Sequence, residues 1–256
     1  MERSGDGKHR LSGNRRMTTQ GLDRQGSVDV LTGPWQYEGL PAEYWTARVA
    51  VVFDVLRATT TMAAWVAAGA AGIVPCRTVE EARVRAAAEG ALLVGERDGV
   101  APEGFDAGNS PREAVPRVAA GRLLVMTTTN GTRALAAAAG AAAVYAASLA
   151  NASAMAARLQ RDHGQQPWTL VLAGTGERFA LEDAVGASWL LRLTGVASPW
   201  RGLTAGGAES IRGLLAASAN GRRLAAHGLG ADLDWCAVPD RLGLVLEQRG
   251  GLLAGS

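Results

Sequence analysis

The sequence predicts an α/β protein: a three-layer α/β/α sandwich around a largely parallel or mixed sheet, with its active site at the carboxyl edge of the strands. Two patterns carry that prediction. From residue 48 onward, short β-rich runs alternate with Ala-rich stretches of helical length, the signature of βαβ units. The runs 48–55, 122–128 and 168–174 are also nearly continuous in apolar residues before turning polar, as strands are when helices cover both faces. In order, strands are expected at 28–31, 48–54, 72–76, 91–95, 122–126, 143–146 and 168–173. Helices are expected at 58–69, 78–89, 111–119, 131–139 and 151–163, and again after residue 178. Residues 196–240 read as a lid or a sheet extension, with short helices at 210–217 and 220–227 and a final strand at 232–238. The domain plan is a disordered extension over 1–26, a single α/β catalytic domain over 27–240 with room for two sub-domains, and a short element with a frayed Gly-rich tail over 241–256.

Composition narrows the class. Apolar residues make up 48% of the 256 and charged residues 20%, a globular balance that supports a sizeable core. The net charge of +2 is small, and Lys8, Arg10, Arg15, Arg16 and Arg24 concentrate the basic excess in the first 26 residues. The rest of the chain has no basic stripe or aromatic stacking platform, so no nucleic-acid partner is expected. No secretory apolar segment and no run of 18 apolar residues occurs, so no membrane association is expected and the cytoplasm is the expected compartment. Cys76 and Cys236 read as reduced core thiols, and the scattered His9, His163 and His227 argue against a histidine-based metal site. Enzymes of this size and class are often symmetric dimers, and a homodimer is compatible with the chain.

Ligands of open α/β sheets bind at the carboxyl ends of the strands, so the residues that follow each strand are the candidates. In Asp54-Val55-Leu56-Arg57-Ala58-Thr59-Thr60-Thr61 a carboxylate and a guanidinium sit beside a helix start, where they can hold a metal and an anion together. The alternative is an Asp–Arg pair that braces a turn. Gly95-Glu96 ends another strand, and Glu96 beside Asp54 would give Mg²⁺ the carboxylate oxygens it takes along with substrate and water. The loop Gly104–Pro111 carries Asn109 and Ser110 into a helix start, where either can also serve as a cap. The densest signal is Thr127-Thr128-Thr129-Asn130-Gly131-Thr132-Arg133: hydroxyls, a carboxamide and backbone N–H groups converge where an oxyanion would sit. Glu182 and Asp183 open a later helix, and Gly174-Thr175-Gly176 lacks the third glycine of a dinucleotide fingerprint.

Taken in order, DVLRATTT, GE, GFDAGNSP, TTTNGTRAL, SLAN and LED closely resemble the 2-phosphosulfolactate phosphatase family, over about residues 28–240. TTTNGT and GNSP are the sharpest of the six, and Ser218, Asn220, Gly221, Leu224 and Asp232 extend the likeness toward the C-terminus. The resemblance implies an α/β/α fold, a bound Mg²⁺ and hydrolysis of (2R)-2-phospho-3-sulfolactate to sulfolactate and phosphate, a step of coenzyme M biosynthesis. The resemblance by itself assigns no roles; carrying residues over one by one, we place Asp54 and Glu96, with Asp183 as a candidate third, around the metal. Arg57, Thr128, Thr129, Asn130 and Arg133 go around phosphate and sulfonate, and Asn109 and Ser110 orient the substrate. Asp54, Asp183 and Arg57 are the expected catalytic set, with a metal-activated water attacking phosphorus in line and Asp54 or Asp183 as its base. A phosphatase for a different small phosphorylated acid and a non-catalytic phosphate- or sulfonate-binding protein are the competing readings.

Overall fold

A computed structural model describes residues 27–256; the segment 1–26, expected as an extension, lies outside them. Nine strands form one mixed, mostly parallel sheet: β1 (Val28–Leu31), β2 (Val49–Phe53), β3 (Gly72–Cys76), β4 (Leu92–Gly95), β5 (Leu123–Thr127), β6 (Ala143–Ala147), β7 (Trp168–Leu172), β8 (Leu246–Arg249) and β9 (Leu252–Gly255). Their order is β1-β7-β2-β6-β8-β9-β3-β5-β4. Two parallel blocks, β1-β7-β2-β6 and β3-β5-β4, are thus joined by an antiparallel hairpin, β8-β9. The three-layer architecture follows from β2, whose residues are all buried but alternate in partner. Val49, Val51 and Phe53 pack with Met155, Leu159, Val185, Leu190 and Ile211 on one face, and Ala50 and Val52 pack with Met62, Trp65 and Leu135 on the other.

The C-terminal residues correct an expectation. In place of a frayed tail they form β8 and β9, which fill the middle of the sheet: Tyr145 of β6 pairs with Glu247, and Ile73 of β3 pairs with Leu253. The glycines taken as fraying are the turn itself, with Gly250 and Gly251 both at positive φ (56° and 84°). Two further elements differ. The helix expected over 111–119 is split into a 3₁₀ turn, Pro111–Glu113, and a short helix, Pro116–Ala119, because Val115 precedes a proline and is held extended. The segment expected as a last strand is a helix, Gly230–Cys236, which buries Asp232, Leu233 and Cys236. The spacing 232, 233, 236 belongs to one helical face and overrides the weak alternation in the sequence.

The helix Ala58–Ala67 closes the gap between the blocks. Strands β2 and β5 are five places apart, roughly 24 Å in a flat sheet at the usual strand spacing. Yet a Cβ placed on Gly131, just after β5, would lie 2.6 Å from the Ala58 Cβ and 2.9 Å from an Asp54 oxygen. Sheet twist and the loops therefore bring the two carboxyl edges together, with the buried residues Thr59–Trp65 packed between them and across β6, β9 and β3. Only glycine permits that approach. Among the described residues no helix is long and apolar enough to cross a membrane.

Because Leu253 is fully buried at the seam between the blocks, Leu253→Ala should cost about 2–5 kcal/mol. Urea unfolding would read this, and a loss below about 1 kcal/mol would mean that the hairpin is not what joins the halves.

Candidate active site

The carboxyl ends of β2, β4, β5 and β7 surround a cavity of about 420 Å³. Of the residues expected from the sequence, Asp54, Arg57, Glu96, Asn109, Thr129 and Asn130 line it. Four of these form a buried floor: Asp54, Arg57, Glu96 and Asn109 are each no more than 8% exposed.

Each floor residue is seated by backbone or by a distant partner. Asp54 ends β2 and accepts the Ala58 N–H through Oδ1 at 3.1 Å. Glu96 follows Gly95, whose positive φ (138°) and 1.9 Å Cβ distance to the Thr127 carbonyl oxygen exclude any side chain there. From that position Glu96 accepts the Thr129 N–H at 2.8 Å and the Gly99 N–H at 2.7 Å, one on each oxygen. It therefore holds the threonine loop and the Asp98–Gly99 turn in register. Arg57 donates to Asp232 at 2.6 Å and to the Gly99 carbonyl at 3.3 Å, and the second oxygen of Asp232 accepts the Ser110 hydroxyl at 2.7 Å. Asn130 accepts the Gly176 N–H at 3.0 Å, tying the loop after β5 to the turn after β7.

Four expected residues do not line the cavity. Asp183 was expected at the metal, but its two oxygens accept the Val55 N–H at 2.8 Å and the Gly174 N–H at 3.0 Å. It braces the ends of β2 and β7 from below. Thr128 exchanges hydrogen bonds with Thr132 and caps the following helix, so its hydroxyl faces the protein. Ser110 serves Asp232 and the Arg112 N–H. Arg133 is drawn outward by Glu38 and Glu177, at 2.5 and 2.7 Å. Arg178, Arg223 and His227 also line the cavity without having been singled out as site residues, and so does Asn220, which the sequence placed only within the family likeness. Arg178 lies in a turn set aside as a failed dinucleotide motif. The other three lie on or beside the helix Ala219–Ala226. Asn220 donates to Glu182 and to Thr175, at 2.5 and 2.7 Å, and so attaches that helix to the rim.

The floor is electrostatically loaded. Burial pushes the Asp54 carboxyl up to about 7, with Glu96 and Glu182 adding like charge against the pull of the Ala58 and Gly131 N–H groups. Burial, then Asp54 and Glu182, hold Asp183 well above the usual carboxylate range, and burial likewise raises Glu182. Such a cluster calls for protons or a cation. Among the described residues no three His, Cys, Asp or Glu side chains converge as a metal-ligand set, so the expected trio Asp54, Glu96 and Asp183 does not form. A smaller donor set does fit a hard divalent ion. Asp54 and Glu96 face the cavity, and the buried Asn109 Oδ1 has no hydrogen-bond donor. Mg²⁺ takes one or two carboxylates and completes its shell with water and substrate.

The raised Asp54 and Asp183 have a measurable consequence. Folded, Asp54 holds a proton that the unfolded chain releases near pH 4, so its contribution to stability is complete below that pH and is lost as pH rises through about 7; Asp183, also raised, acts in the same direction. In buffer free of divalent ions, the urea midpoint should fall between pH 5 and pH 8, and Asp54→Asn should flatten the decline. An equal slope in the variant would show that Asp54 ionises normally.

The chain is similar to known proteins over most of its length. The family model described as 2-phosphosulpholactate phosphatase matches residues 36–251. A probable 2-phosphosulfolactate phosphatase of Symbiobacterium thermophilum is 41% identical over 215 residues, covering 77% of this chain and 89% of that protein. One of Carboxydothermus hydrogenoformans is 34% identical over 220 residues, covering 82% and 91%. One of Thermotoga petrophila is 42% identical over 156 residues, a stretch that covers 61% of this chain and 63% of that protein's length. The chain belongs to the 2-phosphosulpholactate phosphatase family, a family of phosphoric monoester hydrolases.

Proposed function

We propose that the chain is a Mg²⁺-dependent phosphatase that hydrolyses the phosphate monoester of a small anionic acid, (2R)-2-phospho-3-sulfolactate, to sulfolactate and phosphate. The observation that carries this reading is the single cavity in which Asp54, Arg57, Glu96, Asn109, Thr129 and Asn130 meet, in a chain whose relatives bear that name.

Phosphate-ester hydrolysis has a high barrier, lowered mainly by positioning and by neutralising charge on the phosphoryl oxygens. Arg57 is the buried cation of the floor. Asp232 and the Gly99 carbonyl fix its guanidinium, so it meets a phosphoryl oxygen without first being ordered. Thr129 and Asn130 present the polar loop at the start of the next helix to the same space, and Glu96 fixes that loop through the Thr129 N–H. Asp54 and Glu96, with the Asn109 carboxamide oxygen, would hold the cation, which supplies further charge neutralisation when bound. The attacking water must lose a proton. Asp54, on the floor of the cavity, is the carboxylate we assign as its base. Asp183 supports Asp54 from beneath by holding the Val55 N–H and takes no proton from the substrate side.

Phosphate release from 2-phosphosulfolactate should fall about 10³-fold in Asp54→Asn, within the range for loss of a general base. It should stop on chelation of divalent ions and return with Mg²⁺. Near-wild-type turnover by the variant would remove Asp54 from the chemistry, and turnover indifferent to chelation would remove the metal. A panel of phosphorylated C3 acids tests the substrate, since faster turnover of another member would reassign it.

A further inference from the structure

The floor accounts for a phosphoryl group but leaves part of the cavity's chemistry unused. Above it stands an exposed rim with four cationic or titratable side chains, Asp98, Arg178, Arg223 and His227. Their commitments differ. Arg223 donates to the Asp98 carbonyl and lies 3.9 Å from the Asp98 carboxylate. His227 Nδ1 meets the Arg223 carbonyl at 2.7 Å. Among the described residues the Arg178 guanidinium makes no hydrogen bond or ion pair, although its backbone is fixed: Arg178 and Thr175 exchange N–H···O bonds of 2.8 and 3.1 Å. The turn is anchored twice more, by Gly174 N–H on Asp183 and by Gly176 N–H on Asn130. A rooted backbone with an uncommitted guanidinium at a cavity mouth is an arrangement suited to a planar or tetrahedral oxyanion.

Charge balance points the same way. Two acids, Asp54 and Glu96, face the cavity from the floor, and Asp232 already neutralises Arg57. The floor's own cations serve the phosphoryl group, so a second strong anion farther out needs a cation of its own. We propose that Arg178 determines specificity: it binds the anionic group of the substrate distal to the phosphate, a sulfonate or carboxylate, and so selects phosphomonoesters of acids over those of neutral alcohols. This rests on the phosphatase reading above and adds to it the residue that reads the acid.

The test compares the full-length chain with Arg178→Gln and Arg178→Lys. Phosphate release is followed on 2-phosphosulfolactate and on glycerol 2-phosphate, whose tail is uncharged, and sulfolactate binding is followed by calorimetric titration. Loss of a charged hydrogen-bonding partner should cut kcat/KM for the acid about 10- to 100-fold more than for the glycerol ester, chiefly through KM. Sulfolactate binding should weaken by a similar factor, with part of both losses recovered in Arg178→Lys. Equal losses on the two esters, or variants indistinguishable from wild type, would overturn the assignment. If the wild-type chain releases phosphate from neither ester, the phosphatase reading falls and the titration alone decides the subsite. Sulfolactate binding that depends on Arg178 then keeps it, and absent or Arg178-independent binding removes it.

Discussion

Burying a carboxylate is tolerable only when its oxygens receive donors, and the geometry of the site depends on how that demand is met. Asp183 takes N–H groups from Val55 and Gly174 and thereby fixes the ends of β2 and β7 relative to each other. Glu96 takes N–H groups from Gly99 and Thr129 and fixes the turn after β4 against the loop after β5. The donors are loop amides left over where strands end, so each acid converts a mobile connection into a wall of the cavity. Removing Asp183 would leave two buried amides without acceptors, and removing Glu96 two part-buried ones, as well as loosening two loops each time.

A third acid joins these walls to the helical region after residue 199. Asp232, on the helix Gly230–Cys236, bridges Arg57 of the first block and Ser110 of the second. Asn220, on the neighbouring helix, holds Glu182 and Thr175, both after β7 of the first block. The C-terminal third of the chain is therefore part of the site: it supplies the counter-charge that allows Arg57 to be buried and much of the exposed rim. A division of labour follows. Acids and hydroxyls facing inward (Asp183, Thr128, Ser110) set geometry, and those facing the cavity (Asp54, Glu96, Thr129) are in reach of a ligand.

Most of this fold was legible in the residues. The apolar runs of β2, β5 and β7, the glycine after β4 and the polar break after each strand follow directly from backbone physics, and the strand positions agree to within a residue or two. The helix Gly230–Cys236 was misread because a seven-residue segment carries too few periods to separate a helix from a strand, and long-range burial decided it. The hairpin β8-β9 was missed because four-residue strands flanked by glycines look like a fraying terminus until a vacant place between two parallel blocks is known.

By itself the sequence determined the strands β1 to β7, that their carboxyl ends carry acids and hydroxyls, and that those residues belong near one another. Tertiary structure decided which of them face the ligand. Asp54 and Asp183 both end or follow buried β-rich segments, yet one lines the cavity while the other is consumed by a backbone amide 128 positions away. A side chain's direction is set by the donors around it, and those donors come from elements whose relative positions exist only once the two blocks have closed around the helix Ala58–Ala67.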